Sequence, residues 1–201
     1  PWCMVPEKKI TVEDVKYVLS SHYQGTPYDP YASYGDKTMC GAYRSIGINR
    51  NDVMTLIQMR PEGEPIQWLA FASNAFNVLV PFYATIDTTP DYFSSTTREV
   101  TTDSFYWVSR MIGAMADASY KSSIFHIERY QERVMSKGHQ LIGKYDALLE
   151  KESDAAKRMS LRHQANQEIA DMVKKEASDT LNKVLYELSN QMKNAYSRSD
   201  A

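Results

Sequence analysis

The chain has 201 residues, 43% of them hydrophobic and 24% charged, and a formal net charge of -2. That is room for one domain with a helical appendage at most, in the ordinary composition of a globular protein. The charge balance offers no electrostatic reason for nucleic acid or an anionic lipid surface as a partner. No apolar run approaches the roughly 20 residues of a membrane-spanning helix, so neither a nucleic-acid nor a membrane partner is expected.

Pro1 to Ile10 reads as extended and proline-flanked. Thr11 followed by Asp14 has the form of a capping box. Val12, Val15, Leu19 and His22 then recur at helical spacing, with Gly25 as the stop. TPYDPY, from Thr26 to Tyr31, is a double-proline turn rich in aromatics, and loop continues from Ser33 to Lys37. Val53 to Met59 and Ile66 to Ala72 flank the turn sequence PEGEP and predict a hairpin. Asn77 to Ala84 predicts a third strand, with Pro81 arguing for an edge or a bulge, and Tyr43 to Ile48 is a candidate fourth. These few strands are apolar on both faces, as covered strands are, and would leave long bare edges. The sheet therefore reads as part of a larger one.

Pro90 to Thr102 is Thr/Ser-rich and predicts a surface loop. Asp103 is the expected cap of a helix with Phe105, Val108, Ile112 and Met115 on one stripe. Ser123 to Gly138 and Leu141 to Lys151 predict two further helices. A long helix follows, with apolar residues from Ala165 to Met192 at helical spacing. About 30 residues reach roughly 45 Å, which predicts a kink or packing against another chain. A boundary near residue 120 separates residues 1–120, holding the sheet, from a helical region over 121–201.

His22, His126, His139 and His163 are scattered without metal-site spacing, so no metal is expected. There is no G-x-S-x-G elbow and no phosphate-binding loop. Cys3 and Cys40 form no CxxC pair and read as reduced thiols, which predicts a cytoplasmic setting. The chain begins at Pro1, without an initiator Met or a signal peptide, which reads as a processed, trimmed or partial chain. Two features look like chemistry. An Asn amide aimed at a developing oxyanion contributes several kcal/mol to acyl transfer, about 2.7–4 for known donors, which makes Asn74 and Asn77 candidates. Arg44 beside a thiolate would lower its pKa or orient a carboxylate. The same SNAFN stretch also reads as a plain turn that exploits asparagine's tolerance of left-handed backbone.

DVKYVLSSHYQGTPYDPY (Asp14 to Tyr31), YRSIGINR (Tyr43 to Arg50), IQWLAFASNAFNVLVPFY (Ile66 to Tyr83) and SFYWVSRMIGAMAD (Ser104 to Asp117) together resemble the C-terminal half of the bacterial dipeptidase A family of cysteine peptidases, relatives of the secernins. The resemblance implies an α+β chain forming part of an αββα N-terminal-nucleophile hydrolase sandwich, with mainly antiparallel strands at about 43–85 and a helical C-terminal region. It implies hydrolysis of dipeptides by a cysteine that becomes residue one of a processed chain, with its own α-amine as base. Neither Cys3 nor Cys40 matches that position, so the nucleophile is expected outside this chain and the chain alone is expected to be inactive. In that context Arg44, Asn74 and Asn77 are the candidate supporting catalytic residues. His22, Tyr28 and Asp29 are candidates to line the dipeptide pocket, against a purely structural turn. No cofactor is expected. The partners implied are a dipeptide substrate, the N-terminal half of the same enzyme, and a second copy through the C-terminal helices. The alternative readings are a helical interaction or oligomerisation module and an amide acylase of the same fold.

Overall fold

The computed structural model describes residues 2–31 and 39–193. Its elements are α1 (Val12–Leu19), β1 (Val53–Gln58), β2 (Ile66–Phe71), β3 (Val80–Tyr83), α2 (Asp91–Ser94), α3 (Phe105–Ala118), α4 (Tyr120–Leu149) and α5 (Ala155–Ser189). The protein is α+β, with a small antiparallel sheet in the order β1-β2-β3. The loop residues 33–37 expected from the sequence fall outside the described residues.

The hairpin forms where the turn chemistry demanded it, with Val53 opposite Phe71 and Gln58 opposite Ile66. Arg60 locks its tip to the helices. Its guanidinium makes a two-pronged pair with Asp146 of α4, at 2.5 and 2.9 Å, and its Nε donates to the Glu64 carbonyl. Register puts Ile66, Trp68, Ala70, Pro81 and Tyr83 on one face of the sheet. That face meets α4, where the Trp68 ring lies 5.1 Å from that of His139 and the Tyr83 hydroxyl donates to Ile142 O and Asp146. On the other face Phe71 and Phe82 pack against Phe93 of α2, and Phe71 also against Phe105 of α3.

The two edges of the sheet are treated differently. At β3, Pro81 offers no donor, and buried Asn166 of α5 pairs with both backbone groups of Tyr83, accepting from its N–H at 2.8 Å and donating to its C=O at 3.1 Å. That edge is closed by a side chain that imitates a strand. At β1, Val53, Ile57 and the following Met59 stay exposed.

Several expectations are corrected. Tyr43 to Ile48 forms turns, not a strand, and α1 ends at Leu19, which leaves His22 beyond the helix. The helices expected over 123–138 and 141–151 are one helix of 30 residues, α4. Gly138 does not stop it; a Cβ there would lie 2.9 Å from Pro81 Cγ, so the glycine serves close approach of helix to sheet. The loop at 90–102 carries the single turn α2, whose Tyr92 and Phe93 are buried. Ser104, not Asp103, is the N-cap of α3; Asp103 pairs instead with Lys174 of α5.

α5 spans 35 residues, about 52 Å, and its long partner is α4 of the same chain. The contacts His126–Glu187, Arg133–Glu176 and Lys144–Glu168 make the two antiparallel. The stripe expected to meet another chain is covered from Ile169 to Val184, while Leu185 and Met192 are exposed. Helices and sheet share one hydrophobic core.

Candidate functional site

The segment after α1 turns tightly because its backbone is pinned from both sides. Gly47 donates its N–H to Ser21 O at 2.8 Å, and a Cβ at Gly47 would fall 2.6 Å from the Ser20 carbonyl, so only glycine fits there. This crossing brings His22 and Asp29 together. His22 Nδ1 lies 3.0 Å from Asp29 Oδ1, and both residues are buried. A carboxylate only accepts, so the contact assigns a proton to Nδ1. Asp29 Oδ1 also accepts from the N–H of Tyr31, and its carbonyl accepts from Cys40 Sγ at 2.9 Å.

Aromatic rings close around the pair. The His22 ring stands edge-on to Tyr31 and Tyr120, which stack on each other at 4.3 Å with Phe76 against both. The Tyr31 hydroxyl donates to Asp117 at the end of α3. Burial, and then that carboxylate, push the Tyr31 phenol well above its usual range, so it stays a donor. Tyr28, half-buried, meets Tyr43 at 5.0 Å. The structure therefore joins His22 and Asp29 directly and leaves Tyr28 on a neighbouring contact.

Asn74 and Asn77 lie side by side in a buried turn between β2 and β3. Asn77 Nδ2 donates to Ser73 O and Ser109 O, which ties the turn to α3. Among the described residues, Asn74 Oδ1, Asn77 Oδ1, Ser73 Oγ and Ser109 Oγ are buried without a hydrogen-bond partner. An orphaned buried polar atom costs about 1–3 kcal/mol, so three in this turn and a fourth on α3 mark a place not built for stability alone. Arg44 is exposed on the 43–47 turn, where its carbonyl accepts from Tyr23. Its guanidinium bonds to none of the described residues and reaches neither asparagine.

Beside this turn a cavity of about 440 Å³ opens between Ala72 and Ser73 on one side and α3 on the other. Ala72 has φ 59°, a left-handed conformation that costs a non-glycine residue about 1–2 kcal/mol. Its N–H is held by Asp52 O at 2.8 Å. Arg110 and Asp117 of α3 line the cavity, with Gly113 and Ala114 between them. Residues 110, 113, 114 and 117 share one helical face. No residue of this cavity was singled out from the sequence. The available signal was glycine in the interior of an amphipathic helix with opposite charges seven residues apart. A larger cavity, about 740 Å³, lies at the hairpin tip, where Arg60, Asp146, Glu64 and Arg158 are engaged in the pairs Arg60–Asp146 and Glu64–Arg158. Among the described residues no group of three or more His, Cys, Asp or Glu side chains could hold a metal ion, and no helix is long and apolar enough to cross a membrane.

Comparison with known proteins agrees with the resemblance drawn from the sequence motifs. The chain is 44% identical over 99% of its length to a "Probable dipeptidase A" of Streptococcus pyogenes, of which it covers 43%. It is 40% identical over its whole length to a "Dipeptidase" of Bifidobacterium longum, covering 45% of that protein, and 33% identical to a "Probable dipeptidase B" of Lactococcus lactis, covering 42%. The chain thus spans less than half the length of these relatives. Peptidase family C69 matches residues 1–133, about two thirds of the chain, and the chain belongs to peptidase family C69.

Proposed function

We infer that this chain is the C-terminal portion of a dipeptidase that works through a cysteine nucleophile lying outside these 201 residues. The observation that carries the reading is the near-complete match to proteins named dipeptidases. The cavity beside the strained turn supports it, since about 440 Å³ falls in the range of small-ligand sites. Cys3 and Cys40 do not suit the nucleophile's role: Cys3 is exposed in an extended arm, and the Cys40 thiol is engaged by the Asp29 carbonyl.

The remainder of the protein completes the sheet. β3 is closed by Asn166, whereas β1 keeps an open edge with Val53, Ile57 and Met59 exposed, and the relatives are more than twice as long as this chain. Strands added at β1 build the αββα sandwich that the resemblance implies. In that assembly the polar turn with Asn74 and Asn77 supports the reacting carbonyl. The decisive assay follows amino-acid release from dipeptides by the complete protein, before and after thiol alkylation. Alkylation abolishes activity in the wild type and equally in the Cys3→Ser/Cys40→Ser double variant. Activity of the 201-residue chain alone, lost on Cys3→Ala, overturns the reading.

A further inference from the structure

The geometry points to a binding site for an unblocked, zwitterionic dipeptide on α3, in which Arg110 takes the terminal carboxylate and Asp117 the terminal ammonium. This rests on the dipeptidase reading for its substrate class and on the cavity for its residues. Arg110 and Asp117 stand seven residues apart on an uninterrupted helix, so their Cα atoms lie about 10.5 Å apart on the same face. A dipeptide spans at most about 7 Å. Charge-assisted hydrogen bonds of about 2.8 Å at each end bring the span to about 12–13 Å, the same scale as the interval.

Both charges are held in place and keep capacity for a ligand. Asp52 Oδ1 accepts from Arg110 Nη1 at 2.7 Å, which orients the guanidinium and leaves Nε and Nη2 without a partner among the described residues. The Tyr31 hydroxyl donates to Asp117 Oδ1 and leaves Oδ2 open. Between the two charges the helix presents Met111, Gly113 and Ala114, two of them small. The opposite wall carries Ser73, which is buried and whose Oγ has no hydrogen-bond partner among the described residues.

The polarity of the pair is also informative. Asp117 sits in the last turn of α3, where the helix end carries partial negative charge and a carboxylate is unfavourable by about 0.3–1 kcal/mol. A charge set against its own helix indicates a demand other than helix stability.

The test uses the complete protein and three ligands: alanyl-alanine, its N-acetyl form and its C-terminal amide, the blocked forms read as competitive inhibitors. Asp117→Asn raises KM for alanyl-alanine and Ki for the amide at least tenfold, with Ki for the N-acetyl form unchanged. Arg110→Met does the reverse, weakening alanyl-alanine and the N-acetyl form and sparing the amide. Arg110→Lys, which keeps charge but loses the planar fork, falls between. Both side chains are exposed, so the core is undisturbed. Equal effects on all three ligands, or none, overturn the proposal. If the complete protein hydrolyses no dipeptide, the functional reading fails by itself. Calorimetric binding of the same three ligands then decides the site, by the same pattern of selective loss.

Discussion

Asn166 closes the sheet, and its removal is the sharpest test of how this fold ends its strands. Asn166 is 1% exposed and Tyr83 is fully buried. One side-chain amide satisfies both the N–H and the C=O of Tyr83, at 2.8 and 3.1 Å. Asn166→Leu keeps the volume but provides neither acceptor nor donor, so two buried backbone groups lose their partners. At about 1–3 kcal/mol for each, the loss comes to about 2–6 kcal/mol, offset in part by burial of apolar leucine surface. Asn166→Asp retains an acceptor for the N–H but sets a carboxylate against the Tyr83 carbonyl, and costs at least as much. Urea unfolding of the complete protein reads the loss as a lower midpoint with an unchanged slope, and hydrogen exchange at the Tyr83 amide localises it to the edge. A change below about 0.5 kcal/mol, with the Tyr83 amide still protected, refutes the argument that a side chain terminates this sheet.

Two glycines of α4 give a paired prediction. Gly143→Ala meets nothing within 4 Å and stabilises by about 0.5–1 kcal/mol, whereas Gly138→Ala drives a Cβ to 2.9 Å from Pro81 and destabilises by about 1–3 kcal/mol; thermal unfolding in which both variants rise together refutes the close approach. For buried Glu176, burial pushes the carboxyl pKa up, but hydrogen bonds from Lys137 and Arg133 outweigh it and hold the group below its ordinary value of 4.5. A lowered folded pKa means this stabilisation is complete above pH 4.5 and is lost as pH falls through the folded value. Glu176→Gln therefore costs about 1–3 kcal/mol at pH 7 and much less at pH 3; a cost independent of pH refutes the charged contact.

Much of this molecule was legible one stretch at a time. The Thr11–Asp14 capping box, the hairpin around PEGEP and the edge character of Pro81 are set by residues within a few positions of one another. Local backbone chemistry decides such features, so they survive into the fold. The long motifs were equally legible and carried the family. Where the expectation depended on what lies across space, it failed. Gly138 looked like a helix stop because nothing local reveals that Pro81 presses against it. Tyr92 and Phe93 looked like part of a surface loop because their partners Phe71, Phe82 and Phe105 come from other elements.

The candidate site divides in the same way. The polar SNAFN turn and the TPYDPY segment stood out by composition, and the structure joins His22 to Asp29 and both asparagines to one turn. Arg44 stood out equally by residue type and lies exposed, away from hydrogen-bonding reach of either asparagine. Arg110, Asp117 and Ser73 became a set only when α3 was laid against the turn after β2. The sequence by itself determined the Thr11–Asp14 capping box, the hairpin turn, the strand pairing within the hairpin and the family, because each is written in near neighbours or in long contiguous motifs. Tertiary structure alone decided which polar groups are orphaned, which charges face one cavity, and that β3 is closed while β1 stays open. Those depend on contacts between residues far apart in the chain, 83 positions for Asn166 and Tyr83, and such pairings are energetic outcomes of packing that no local pattern encodes.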